Sequence, residues 1–288
     1  MQSCELIVAY FQSSLVAYLL LVFVFSLCVG SFLNVVIYRL PKMMEQSWQQ
    51  EYQEYFHPTD SHAAAPTFNL ATPRSRCPHC NTQLSALDNI PLVSWLTLGG
   101  KCRYCKAPIS ARYPLVELAC CLVSGFVAWH FGFGWQAGAM LLLSWGLLAL
   151  CLIDADHQLL PDVLVLPLLW LGLIINVGEL FVPLPDALWG AVAGYLSLWT
   201  VYWLFKLLTG KEGIGHGDFK LLALLGAWGG WQILPLTILL ASLVGAVLGL
   251  IWLRLNRVNA ATPIPFGPYL AIAGWIALLW GGQITDFY

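Results

Sequence analysis

The sequence predicts an all-α polytopic membrane protein with about eight transmembrane helices, and three observations carry that reading. Of 288 residues, 59% are hydrophobic and only 10% are charged, against about 25% charged in an ordinary soluble domain. The apolar residues come in runs of about 20, long enough to cross a hydrocarbon layer of roughly 30 Å. The basic residues are confined to alternate connections between those runs, as the positive-inside rule requires of a multi-pass chain. A formal net charge of -2 argues against a nucleic-acid binder.

The runs fall near 15–38, 113–131, 136–153, 162–181, 185–208, 218–231, 233–253 and 268–285. The first is read as a retained span. No basic segment precedes it, and it ends at Arg39 without a small-residue cleavage site. The sixth is short and glycine-rich. Arg39, Lys42, Arg74, Arg76, Lys101, Arg103, Lys106 and Arg112 lie in the first long connection, Lys206, Lys211 and Lys220 around the fifth, and Arg254 and Arg257 at the seventh. With eight spans these segments share the cytosolic side and both termini lie outside. Three parts are expected: residues 1–39 as a first membrane helix, 40–112 as a cytosolic domain, and 113–288 as a seven-helix membrane domain.

In the cytosolic part, Trp48, Tyr52 and Tyr55 are spaced for one face of a short helix lying on the membrane surface; a partly ordered linker is the plainer alternative. Further on stand Cys77-Pro-His-Cys80 and, after 21 intervening residues, Cys102-Arg-Tyr-Cys105. Two such knuckles form a four-thiolate site for a structural Zn(2+), and a reducing cytosol disfavours disulfides. Arg76, Lys101, Arg103 and Lys106 are placed to offset the charge of the thiolates. Cys4, Cys28, Cys120, Cys121 and Cys151 read as small apolar fillers.

Acidic residues in or beside spans are functional candidates by default. One cluster ends the third run, Asp154-Ala-Asp156-His157-Gln-Leu-Leu160-Pro161-Asp162. Another opens the sixth, Gly213-Ile-Gly215-His216-Gly217-Asp218-Phe-Lys220. Both meet the cytosolic boundary. Two carboxylates brought together there are what aspartyl proteolysis needs, one activating water while the other, protonated, polarises the scissile carbonyl. Asp154 and Asp218 are the favoured pair, because Asp154 abuts the apolar run. Asp156 reads as a solvated loop residue and Asp162 as a first-turn helix acid. Gly215 and Gly217 remove side chains where an extended peptide must approach. Glu117, early in the second span, either pairs with a basic neighbour such as Arg112 or lines a polar cavity.

Four stretches together resemble the type IV prepilin peptidases. They are Gly30-Ser-Phe-Leu-Asn34-Val-Val-Ile-Tyr-Arg39-Leu-Pro41, the tetracysteine loop followed by Arg112-Tyr-Pro-Leu-Val-Glu117, the Asp154 to Asp162 stretch, and Gly215-x-Gly217-Asp218. The resemblance implies a bifunctional enzyme of the bacterial inner membrane. It would remove the basic leader of prepilins and type II secretion pseudopilins, with Asp154 and Asp218 as catalytic pair. It would then methylate the new N-terminal residue with S-adenosylmethionine as donor. No glycine-rich nucleotide loop follows a strand, so the donor's ligands are not legible. The rival readings are an ion-coupled transporter, in which the acidic pair relays a proton or cation, and a non-catalytic assembly platform.

Overall fold

The computed structural model describes residues 2–56, 68–211, 213–256 and 265–285. These residues form α-helices and connecting turns, with two isolated β-bridges. In chain order the helices are α1 (Gln2–Ser13), α2 (Leu15–Phe56), α3 (Val93–Thr97), α4 (Arg112–Phe131), α5 (Trp135–His157), α6 (Asp162–Asn176), α7 (Leu184–Thr209), α8 (His216–Gly229), α9 (Leu234–Asn256) and α10 (Gly267–Thr285). Each of the eight apolar runs coincides with one of them. Five stretches are long and apolar enough to cross a membrane: α2, α4, α5, α7, and Trp231–Ile251, which takes in most of α9. By contrast α6, α8 and α10 have 15, 14 and 19 residues. At 1.5 Å per residue, α6 and α8 reach only about 21–23 Å. The helices are thus those expected, and among the described residues five stretches are by length and composition able to cross a membrane.

Two compact units divide the chain, residues 1–145 and 146–288, with α5 continuous through the division. In the first unit α2 packs along α4. The crossing is close because Gly30 lies against the α4 backbone, where a Cβ would come within 2.8 Å of the Glu117 Cα. Helix α2 does not stop at Arg39 but runs 42 residues to Phe56, through Pro41. The continuation is rich in Gln, Glu and Met, which favour helix, so the expected short helix at Trp48, Tyr52 and Tyr55 is the end of α2. All three rings are exposed. The remainder of the loop that falls at 57–67 lies outside the described residues.

Arg39, expected to close a span, is buried instead. It donates to the carbonyls of Asn69 (2.9 Å) and Pro73 (2.6 Å) and lies over the Phe68 ring. The Gly30 to Pro41 stretch therefore has packing and anchoring work along its length, since Asn34 also donates to the Tyr113 carbonyl (3.0 Å).

In the second unit α8 is the central helix, buried from Asp218 to Gly229 at every residue except Lys220. A helix apolar all round is stable only when enclosed, and α6, α7 and α10 pack against this one. Small residues make the enclosure tight. Gly190 of α7 faces Gly226 of α8 backbone to backbone, and a Cβ at Gly194 would come within 2.7 Å of the Leu222 carbonyl oxygen. Glycine in the sixth run is thus a sign of close packing rather than of weak helix. At the far end Asn176, fully buried, donates to the carbonyls of Ala227 and Trp228 (3.0 and 3.1 Å) and accepts from the N–H groups of Phe181 and Val182. Those bonds satisfy the C-terminal carbonyls of α8. They also turn the chain at 176, short of the expected 181.

Candidate active site and metal centre

Asp154 sits in the last turn of α5 and Asp218 in the first turn of α8. Both residues are buried, 5% and 6% exposed. The charge of Asp154 is felt at Asp218, so the two form an interacting pair. Asp154 Oδ2 accepts a hydrogen bond from the backbone N–H of Gly267, at the start of α10 (3.0 Å). Three helix ends thus meet at the pair, and sequence reading located only two of them.

The neighbouring acids separate cleanly from the pair. Asp162 begins α6, as expected of a first-turn acid, and both its oxygens accept from Lys220 Nζ (2.8 and 2.7 Å). That ion pair ties the start of α6 to the start of α8. Asp156 and His157 are exposed at the end of α5. His216 packs its ring against Tyr202 and Phe219, an interfacial aromatic cluster. Of the two signature glycines, Gly215 is exposed and a Cβ there would stand 3.4 Å from Asp218 Oδ2. Gly217 is packed against Leu160, 2.8 Å from where its Cβ would be.

Glu117 follows neither of its two readings. Its Oε2 accepts from the backbone N–H of Leu92 (2.8 Å), and it also bonds the Ser31 hydroxyl. Leu92 has φ 57° and precedes α3. The buried carboxylate therefore pins the loop carrying α3 to the α2–α4 pair. A backbone partner leaves no mark in a sequence, which is why reading missed it.

The four cysteines converge, with the ligand sulfurs all within 4.8 Å of one another. Each knuckle is a matched turn. The N–H of Asn81 bonds the Cys77 carbonyl and that of Lys106 the Cys102 carbonyl, and both residues are left-handed, with φ 55° and 60°. A tetrahedral zinc with Zn–S near 2.3 Å needs sulfurs about 3.8 Å apart, and Cys77 Sγ and Cys105 Sγ are separated by 3.8 Å. The donor set and its spacing fit a divalent metal.

Hydrogen bonds from the Thr82 side chain and backbone lower the Cys80 thiol to about 6. Backbone N–H groups of Cys105 and Tyr104 lower Cys102. Cys105, with the Ala107 backbone N–H favouring its thiolate, is nonetheless pushed up to about 11 by desolvation and the three neighbouring sulfurs. Four thiolates at this spacing require a cation among them. Arg103, expected to offset their charge, is instead engaged by Asp88 (2.6 Å). The Arg103 and Ser85 hydrogen bonds hold that carboxyl below its usual range. Among the fillers, Cys120 and Cys121 are buried as expected, whereas Cys28 is exposed.

A helical chain with several membrane-length apolar helices and one buried acidic pair belongs to a class that includes aspartyl peptidases and ion-coupled transporters. The comparisons with known proteins decide between them. Residues 24–131 match the bacterial peptidase A24 N-terminal domain, and residues 141–250 match the type IV leader peptidase family. The chain is 68% identical over 282 residues to a prepilin leader peptidase/N-methyltransferase of Stutzerimonas stutzeri, covering 98% of this chain and 97% of that one. It is 68% identical over 281 residues to one from Pseudomonas aeruginosa, covering 97% and 96%, and 62% identical over 271 residues to one from Aeromonas hydrophila, covering 94% and 93%. No solved structure matches. The chain belongs to the type IV leader peptidase family.

Proposed function

We propose that this chain removes the leader of prepilins and pseudopilins by aspartyl hydrolysis at the cytosolic face of the bacterial inner membrane, then methylates the exposed N terminus. The carrying observation is the buried pair, Asp154 from the end of α5 and Asp218 from the start of α8. One carboxylate takes a proton from water as it attacks the scissile carbonyl, while the other, protonated, donates to the carbonyl oxygen. Two interacting carboxyls in a buried site resist ionising together, which supplies the required asymmetry. The exposed Gly215 leaves room for an extended peptide beside Asp218. The ion pair of Asp162 with Lys220 ties the start of α6 to the start of α8.

The transporter reading has no support in the comparisons, and the relatives from Stutzerimonas stutzeri, Pseudomonas aeruginosa and Aeromonas hydrophila are named as prepilin leader peptidase/N-methyltransferase. Zinc, held by Cys77, Cys80, Cys102 and Cys105, is the metal that best suits a closed tetrathiolate site, and its role is to fold the loop. S-adenosylmethionine is the methyl donor that the family's activity requires. Among the described residues there is no strand, glycine turn and helix to cradle its nucleoside, so no residue is assigned to it. The basic connections support eight spans with both termini periplasmic, in which the shorter α6, α8 and α10 also cross. The parts of the chain are then 1–39, 40–112 and 113–288.

The test is to reconstitute the full chain in lipid with a prepilin-type substrate and a donor carrying a labelled methyl group. The reading requires leader loss, with label appearing only on shortened chains. Intact substrate in a preparation that conducts protons or cations would restore the transporter.

A further inference from the structure

The start of α10 bears on the acidic pair in a way that no motif in the sequence announces. The first helical hydrogen bond there runs from the Leu270 N–H to the Phe266 carbonyl, so the N–H groups before it lack helical acceptors. Position 268 is proline and has no N–H. Of the remaining donors, the one on Gly267 is aimed at Asp154 Oδ2, in a buried hydrogen bond of 3.0 Å spanning 113 residues of sequence. The residue donating it has no side chain, and the space shows why. A Cβ on Gly267 would stand 2.6 Å from Asp154 Oδ2 and 3.0 Å from its Cγ, closer than real Cβ contacts allow. Glycine is needed here for close approach rather than for a special φ.

We infer that Gly267 is a positioning residue for peptide cleavage, its backbone N–H holding the Asp154 carboxyl in the orientation that serves the acidic pair. This rests on the proposed catalytic role of Asp154. The consequence is geometric. Oδ2 is committed to α10 as an acceptor, and Oδ1 is the oxygen left to take a proton from water. A carboxyl free to rotate would spend part of its time misaligned, and misplacement by an ångström can cost about 100-fold in rate. Because α10 supplies the donor from its own N terminus, the orientation is built into the packing of α10 and does not depend on a neighbouring side chain. Among the described residues, the titratable groups around Asp154 are Asp218 of α8 and Cys151 of its own helix, with Asp156 and His157 following it. The first turn of α10 contributes only Tyr269.

The test separates the hydrogen bond from the space. In the full-length protein in lipid, glycine 267 is replaced by glycolic acid through suppressor-tRNA translation, which turns the amide into an ester. This removes the N–H and adds no Cβ. Gly267→Ala keeps the N–H and adds the Cβ. Cleavage kinetics, zinc content and melting temperature are measured for both, with Asp154→Asn alongside. The expected result is a 10- to 100-fold fall in kcat for each, KM for the prepilin within twofold of wild type, and unchanged zinc and melting. An ester chain that cleaves at the wild-type rate overturns the inference, as does a rate loss that tracks a lowered melting temperature. If Asp154→Asn itself cleaves normally, the catalytic reading has failed. If Asp154→Asn is dead and the ester chain normal, only the positioning role has.

Discussion

Buried polar side chains among the described residues are few, and of their fully buried nitrogen and oxygen atoms the Ser26 hydroxyl alone has no partner. Ser124 and Ser144 return their hydroxyls to the carbonyls one turn earlier in their helices. Asn176 does the most, since four backbone groups depend on one amide. Asn176→Ala leaves the Ala227 and Trp228 carbonyls and the Phe181 and Val182 N–H groups unpaired among apolar atoms. A loss of about 2–4 kcal/mol is expected, read as a lower melting temperature of the detergent-solubilised protein, with zinc content untouched. The ion pair of Asp162 with Lys220 is a contrasting case. It is half exposed, and such pairs are worth only about 0–1 kcal/mol. Its contribution is to the placing of two helix starts more than to stability.

Among the elements, α8 is the one on which the second unit depends. It carries Asp218 at one end and is held at the other by Asn176. Along its length Trp228 donates to the Leu168 carbonyl (2.8 Å) while its ring fills the space left by Gly172. The helix backbones of α7 and α8 approach closely at Gly190 and Gly226. Gly190→Leu must push the two helices apart, so a loss of about 3 kcal/mol or more is expected. Because Asp218 rides on the displaced helix, cleavage falls with stability. Gly134→Ala, at a position with open space around it, leaves both unchanged, and an equal loss at the two sites would contradict the close-packing account.

At the scale of the whole molecule, the tetracysteine site is the part whose integrity depends on solution conditions. Thiolates must be deprotonated to hold a metal. The Cys80 thiol lies near 6 only while its Thr82 hydrogen bonds stand. One zinc per chain is expected near neutral pH. Its retention falls as the solution is acidified and protons compete with the metal for the four sulfurs. Metal analysis of protein equilibrated across pH 4–8 checks this, and Cys77→Ser lowers the content even at pH 8. Zinc retained at the wild-type level by Cys77→Ser, or unchanged in the wild type down to pH 4, would contradict it.

Much of this architecture is legible in the sequence, because hydrophobic run length and cysteine spacing are local signals. The eight runs became helices, and the two knuckles came together. Asp154 and Asp218 were distinguishable from Asp156 and Asp162 by their position against apolar runs, and the structure buries the first two. Signals failed where the partner is backbone. The N–H groups of Gly267 and Leu92, which hold Asp154 and Glu117, belong to residues with no polar side chain. Lengths were misjudged for a related reason. Helix α2 passes through Pro41 because favourable residues follow, and α6 stops at Asn176 because its side chain caps a turn.

The central claim is that two buried aspartates perform the cleavage. Its most direct test is mass-resolved leader removal by the reconstituted wild type, Asp154→Asn and Asp218→Asn. Asparagine keeps the size and removes the titratable proton. Each variant alone is expected to lose at least about 1000-fold in rate, as removal of one member of a catalytic unit does, with zinc content and melting unchanged. Two variants that trim the leader at the wild-type rate would contradict the account and return Asp156 and Asp162 to consideration.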